Sequence, residues 1–301
     1  MQVTKVLVPV DFSPPSRLAV NHGTAFARKF HAKLILLNVT EISAGVAYTF
    51  PIESTAFEKE HREQALRMLP ALVSPEDQDD LDLQILVKTG HIADVISSTI
   101  REERADIVVM GTHGRGLAGR AFIGSVTQHM LRRVPVPILT VCRVARPLEF
   151  ARILFATDLS GACTEGFHSA LEMARLAHSK LTVLHSVDAG RLMHAGAEMA
   201  VGIDRRQLLE SARVRLDELA AKAPAGDTEI DTVLVEGNAT EAILRVAEDT
   251  CADLIVVTVE KKGLLERALL GSTAERIIRE AHLPVLSIPI GASAKMERQA
   301  R

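Results

Sequence analysis

Gly111-Thr-His-Gly114-Arg-Gly-Leu-Ala-Gly-Arg-Ala-Phe-Ile-Gly124-Ser125-Val126-Thr127 is the stretch on which the reading of this 301-residue chain turns. It follows a β-like run, Ala105-Asp-Ile-Val-Val-Met110, and leads into a helix-like run from Gln128 to Arg133. Glycines at 111, 114 and 124 leave backbone N–H groups uncovered by side chains, so a phosphate can approach the main chain closely. Ser125 and Thr127 stand where a helix begins and add hydroxyl groups to the N–H donors and partial positive charge of that terminus. Strand, glycine-bearing loop and helix in this order point to a nucleotide phosphate rather than a free ion. A plain glycine-rich surface turn is the competing reading. Gly114-Arg-Gly116-Leu-Ala-Gly119 spells G-x-G-x-x-G, but it is not read as the dinucleotide fingerprint because it does not lead straight from strand into helix, and the loop has no G-x-x-x-x-G-K-[ST] with its phosphate-reaching lysine.

The chain is also a duplication. Asp11 and Asp158, Gly90 and Gly237, Asp106 and Asp253, Gly124 and Gly271, and Pro137 and Pro284 are all separated by 147 residues. Local strings agree at the same offset: Val8-Pro-Val-Asp11-Phe-Ser13 beside Phe155-Ala-Thr-Asp158-Leu-Ser160, and Ile123-Gly-Ser125 beside Leu270-Gly-Ser272. A constant offset leaves no room for net insertion between the landmarks, so one unit is used twice. Each unit is long enough to bury its own core. The expected domains are 1–143 and 150–290, with a short joint around Arg146-Pro147 and a polar tail over 291–301.

Within a unit, short apolar runs alternate with helical patterns. Lys5 to Val10 reads as a strand buried on both faces. Ser13-Pro14-Pro15 provides an N-cap with proline in the first turn, and a helix follows to about His31. Further strands are expected at 34–39, 81–87, 107–110 and 137–141, with helices at 57–72, 93–104 and after Gly124. Strict βαβα alternation argues for a doubly wound parallel sheet with right-handed crossovers. In such sheets a ligand sits outside the carboxyl ends of the strands, where strand order reverses. Pro9-Val10-Asp11, Asn38-Val39 and Met110-Gly111 then converge on one crevice with the glycine loop. There Asp11 can accept from a ribose or base amino group, or cap the helix that follows. The Val39 backbone can read an adenine edge.

Composition sets the remaining bounds. A content of 47% hydrophobic and 24% charged residues is that of an ordinary globular protein. A net charge of −3 with mixed signs, no Trp and a single Tyr argue against nucleic acid as the main partner. No apolar run reaches the length of a membrane span, and Met1-Gln-Val-Thr-Lys runs straight into a strand, so neither membrane anchor nor signal peptide is expected. Cys142, Cys163 and Cys251, odd in number and scattered, suit a reducing cytoplasm.

The spacing Gly111-x2-Gly114-x9-Gly124-Ser125, the duplication and the element order together resemble the universal stress protein family, and the resemblance covers almost the whole chain. It implies two tandem flavodoxin-like (HUP/Rossmann-like) α/β units, each a five-stranded parallel sheet of order 3-2-1-4-5. It implies adenine-nucleotide binding, by ATP with ADP or AMP as alternatives, through residues that here are Pro9, Val10, Asp11, Val39, Met110, Gly111, Gly114, Gly124, Ser125, Val126 and Thr127. Arg115 joins them as a phosphate contact from within the loop. Members with the motif intact tend to bind ATP. Family members also pair through their last strands, so tandem members resemble a fused dimer, and homodimers of chains are common. The implied role is stress-response regulation through protein partners that the sequence does not name.

The second half departs from this pattern. Gly111 becomes Thr258, Gly114 becomes Lys261, His113 becomes Glu260 and Val126-Thr127 become Thr273-Ala274, while Gly271-Ser272 survive. A Cβ where backbone must approach an anion, and a carboxylate where phosphate would sit, predict a lost or altered second site. The enzymatic alternative is a slow Mg²⁺-dependent ATPase, with Asp11 helping to hold the ion. No Walker lysine or paired base and nucleophile supports it. His61, His91, His129 and His185 lack ligand spacing for zinc, and Glu76-Asp-Gln-Asp-Asp80 reads as a solvated turn. Segments 42–52 and 189–203, apolar for connectors, are candidate lids or contact patches, with disordered or loosely helical connectors as the alternative.

Overall fold

The computed structural model describes residues 3–41, 51–112, 123–142, 148–161, 163–188, 205–224, 226, 228–260 and 271–290, the side chains of 51–54 excepted. The chain divides into two compact units, residues 2–148 and 149–301.

In the first unit the order is β1 (Lys5–Pro9), α1 (Pro14–Phe30), β2 (Lys33–Thr40), α2 (Pro51–Met68), a 3₁₀ turn (Pro70–Leu72), α3 (Pro75–Asp80), β3 (Leu83–Thr89), α4 (Ile92–Glu103), β4 (Ile107–Gly111), α5 (Ser125–Arg133) and β5 (Ile138–Val141). Its strands lie in the order β3-β2-β1-β4-β5, and every neighbouring pair is parallel. The second unit repeats the plan with β6 (Arg152–Thr157), α6 (Cys163–Ala177), β7 (Lys180–Val187), α7 (Arg205–Ala221), β8 (Ile230–Glu236), α8 (Ala239–Asp249), β9 (Leu254–Glu260), α9 (Ser272–Glu280) and β10 (Val285–Ile290). There the order is β8-β7-β6-β9-β10, again parallel throughout. Both are the order 3-2-1-4-5. Right-handed crossovers that travel one way from β1 and the other way from β4 put helices on both faces. That is why Val6 to Val8, Leu34 to Leu37 and Ile107 to Val109 are continuous apolar runs with no exposed surface.

Local chemistry fixes the element ends. Ser13 Oγ accepts from the Ser16 N–H at 3.4 Å, with prolines in the first turn behind it, and α1 closes on His31 in the left-handed region at φ 52°. Asp106 clamps the start of β1. Its Oδ2 accepts from the Thr4 N–H and Oγ1, each at 2.7 Å, and from the Lys5 N–H at 2.9 Å. Asp253 does the same for β6, accepting from the Ala151 N–H at 2.6 Å, and burial pushes its carboxyl above the usual carboxylate range. The backbone records the duplication independently. Left-handed residues recur at the same spacing as Phe12 and Leu159, His31 and His178, Arg104 and Cys251, and Gly90 and Gly237.

Two readings of the sequence change. The helix expected over 57–72 begins at Pro51 and stops at Met68, because Pro70 removes an N–H and the chain tightens into the 3₁₀ turn. The acidic run is no turn. Ser74 caps a six-residue helix over Pro75–Asp80, and Asp77 is buried against the Arg28 guanidinium, which lowers its carboxyl against the opposing effect of burial. Residues 42–50 and 189–203 of the two connector segments, the 291–301 tail and 143–147 of the joint lie outside the described residues.

Candidate functional site

The carboxyl ends of β1, β2 and β4 open into a cleft of about 610 Å³. This volume is in the range of small-molecule sites. Pro9, Val10 and Asp11 enter it from the end of β1, Val39 from β2, Met110 and Gly111 from β4, and Gly124, Ser125, Val126 and Thr127 from the start of α5. Gly114, Arg115, His113 and Arg120 lie outside the described residues.

At the β1 end, Asp11 Oδ1 accepts from Ser13 Oγ at 2.6 Å and from the Ser13 N–H at 3.0 Å. Asp11 therefore organises the residue that caps α1, and Phe12 between them takes a left-handed φ of 64°. A bulky side chain in that region costs on the order of 1–3 kcal/mol, held in place by the fold around it. The Val10 N–H donates to Leu37 O at 2.7 Å, and Asn38 Nδ2 donates to Val10 O at 2.8 Å. Backbone direction alternates along a strand, so Val39 turns toward β1 as Leu37 does, but past Pro9, the last residue of β1. This is the geometry that lets main chain read a flat ligand edge.

At the β4 end, the Gly124 N–H donates to Thr112 O at 2.8 Å and Thr127 Oγ1 donates to Gly111 O at 2.9 Å. The Thr127 hydroxyl hydrogen, expected to serve a phosphate, is spent on tethering α5 to the strand. Ser125 stands exposed at the helix start. The N-cap position is glycine, no side chain caps the first turn, and that turn contains no acidic residue. These are favourable terms for an anion at a helix N-terminus. Gly111 has a second reason to be glycine. A Cβ there would stand 2.7 Å from Pro15 Cβ and 2.9 Å from the Pro15 carbonyl carbon, so β4 and α1 approach too closely for any side chain.

Sequence reasoning missed the opposite wall. Phe57, His61, Ala65 and Met68 of α2 line the cleft at helical spacing, joined by Ile92 and Ile96 of α4. His91, His129 and His185, considered with His61 in the sequence, do not line the cleft. His91 precedes α4 and faces Asp94 at 3.3 Å, and His129 on α5 is held below the ordinary histidine value by burial first and Arg133 second. Among the described residues, no three His, Cys, Asp or Glu side chains gather as a metal site.

The second unit keeps the frame and differs at the corresponding described positions. The Ser160 N–H donates to Asp158 Oδ1 at 2.9 Å, and His185 Nδ1 donates to Thr157 O at 2.8 Å in place of Asn38. However, Arg215 stands at the position of Met68 and donates to Leu159 O. Glu275 adds an acidic residue to the first turn of α9. A cavity of about 250 Å³ beside the start of α6 is lined by Ser160, Arg215 and Lys222 and includes none of Thr258, Gly271 or Ser272.

A parallel α/β unit of strand order 3-2-1-4-5 with helices on both faces belongs to the broad class of doubly wound folds. The model of the "Universal stress protein family" matches residues 2–141 and again 149–289, and the chain belongs to that family as two tandem domains. Universal stress protein MJ0531 of Methanocaldococcus jannaschii is 32% identical over 139 residues, covering 46% of this chain and 82% of that one. Universal stress protein Slr1230 of Synechocystis is 22% identical over 237 residues, covering 78% of this chain and 75% of that one. Among solved structures, a universal stress protein from Archaeoglobus fulgidus superposes with a TM-score of 0.72 at 20% identity, covering 96% of this chain and 99% of that one, which bears on fold alone. Among the described residues, no helix is long and apolar enough to cross a membrane.

Proposed function

We propose that the first unit binds an adenine nucleotide, ATP in the first place, in the 610 Å³ cleft, and that the chain is a nucleotide-responsive regulatory protein of the stress response. In this reading the second unit serves as its structural partner. The observation that carries it is the union of two chemistries in one cavity. A helix N-terminus capped by glycine, with Ser125 at its start, suits phosphates, and the Val39 backbone beyond the end of β1 suits a base edge. A nucleotide is the common metabolite class with both ends. The residues fit such a group, and when bound its phosphates would bring any Mg²⁺ with them beside Asp11. The cytoplasm, where Cys142, Cys163 and Cys251 stay as thiols, is the proposed compartment.

Calorimetric titration of the full chain with ATP tests the reading. One site per chain is expected, abolished in Gly124→Val and in Gly114→Lys, the second substitution copying Lys261. Two equal sites, or unchanged affinity in both variants, contradict it. Following phosphate release in the same samples separates a binding module from a slow ATPase. Sustained turnover that disappears in Gly114→Lys would mark an enzyme.

A further inference from the structure

The cleft has two ends of different character, and only one is explained by the main chain of β4 and α5. The other is the α2 wall, where Phe57 and His61 lie one turn apart with ring centroids separated by 4.1 Å and planes inclined by 34°. Phe57 is 47% exposed, an unusual place for an aromatic side chain that gains its stabilisation from burial. A helix that merely packed on the sheet would turn such a residue inward, as α1 does with the fully buried Phe26. The strand order explains its position. α2 follows β2, on the far side of β1 from β4 and the α5 terminus, so a ligand anchored by phosphate at Ser125 extends toward α2. The duplication supplies an internal control. At the same offset the second unit carries Asp204 and Leu208, so the aromatic pair is missing from the half whose glycine loop is also altered.

We propose that Phe57 and His61 form a stacking wall for the nucleobase, so that ligand affinity is divided between an anion-holding end at α5 and a base-holding end at α2. The proposal rests on the nucleotide reading above and goes beyond it by assigning the base-binding side chains.

The test is titration of the full chain with ATP and with adenosine, which lacks the anionic end, using Phe57→Ala, His61→Leu, Phe57→Tyr and Ser125→Ala. Phe57→Ala is expected to weaken ATP and adenosine by the same factor, between about five- and a hundred-fold. His61→Leu, copying Leu208, acts in the same direction. Phe57→Tyr restores binding because it keeps the ring. Ser125→Ala weakens ATP and leaves adenosine unchanged. ATP affinity unchanged in both Phe57→Ala and His61→Leu overturns the wall while leaving the nucleotide reading intact. Equal loss in Phe57→Ala and Phe57→Tyr, or a lowered melting midpoint that accounts for the loss, also overturns it, since the residue would then be structural. An unmodified chain that binds neither ligand removes the nucleotide reading and this inference together.

Discussion

The end of β4 in the first unit and the end of β9 in the second solve the same packing problem in opposite ways. In the first, the strand supplies the gap: Gly111 lies under Pro15, and a Cβ would meet the Pro15 backbone at 2.9–3.0 Å. In the second, the strand carries Thr258 and the helix supplies the gap, because a Cβ on Gly166 would land inside Thr258 Cγ2. One arrangement leaves bare main chain at a ligand cleft; the other fills the strand end with a side chain. The second unit therefore keeps the fold with a side chain where the first has bare main chain. A glycine loop that looks purely functional is partly a packing device.

The largest effect expected from crossing the two solutions is Gly111→Thr, which copies Thr258 without the compensating helix glycine. Overpacking against Pro15 should cost about 3 kcal/mol, lower the melting midpoint by several degrees and remove ATP binding. Full stability with wild-type binding would show that the approach of α1 and β4 is easily relaxed.

Next is a pH effect confined to the first unit. His22 is buried in α1, with Nδ1 unpartnered, and burial lowers it from 6.5 to about 4. Its second-unit counterpart is Ser169. Between those values the unfolded chain binds a proton that the folded chain refuses, so stability falls as pH drops from 6.5 toward 4 and is unaffected above 6.5. The loss approaches 3 kcal/mol at the low end, about 1.4 kcal/mol for each pH unit. Denaturant titrations at pH 7 and pH 4.5 should differ less for His22→Ser than for the unmodified chain; an equal difference would place the acid sensitivity elsewhere.

Gly166→Ala tests the other side of the packing swap. It should cost about 1–3 kcal/mol alone and regain most of that when combined with Thr258→Ser, which removes the clashing methyl. Additive effects in that cycle would refute the pairing. The smallest change concerns the matched bonds at the strand ends. Asn38→Leu leaves Val10 O without its donor, at about 1–2 kcal/mol, whereas His185→Asn exchanges one donor for the other at under about 1 kcal/mol. Equal losses for the two would mean that the bond is not what distinguishes them.

Most of the architecture was legible because its signals are local. Buried parallel strands announce themselves as unbroken apolar runs such as Leu34 to Leu37, and Ser13-Pro14-Pro15 specifies a helix start without help from the rest of the chain. The constant spacing between the halves made the second unit readable from the first. The short acidic helix was missed although Ser74-Pro75 carries the same cap-and-proline signal as Ser13-Pro14; what no local pattern contains is Arg28, the partner 49 residues away that buries Asp77. The α2 wall was missed for a related reason. Phe57, His61, Ala65 and Met68 fall at helical spacing, but whether such a stripe faces core or cavity depends on where the strands beneath it end. Helical spacing beginning at an exposed aromatic, absent from the repeat, was the available clue.

The bond between the Gly124 N–H and Thr112 O ties the start of α5 to the residue that follows β4, as a clasp closes a purse. Because the clasp is made by main chain alone, it holds the end of β4 and the start of α5 together whatever side chains stand at 112 and 124. With the Thr127 hydroxyl bonded to Gly111 O as well, the helix start is anchored to the strand end at two points, so the position of the α5 terminus is set by the sheet itself.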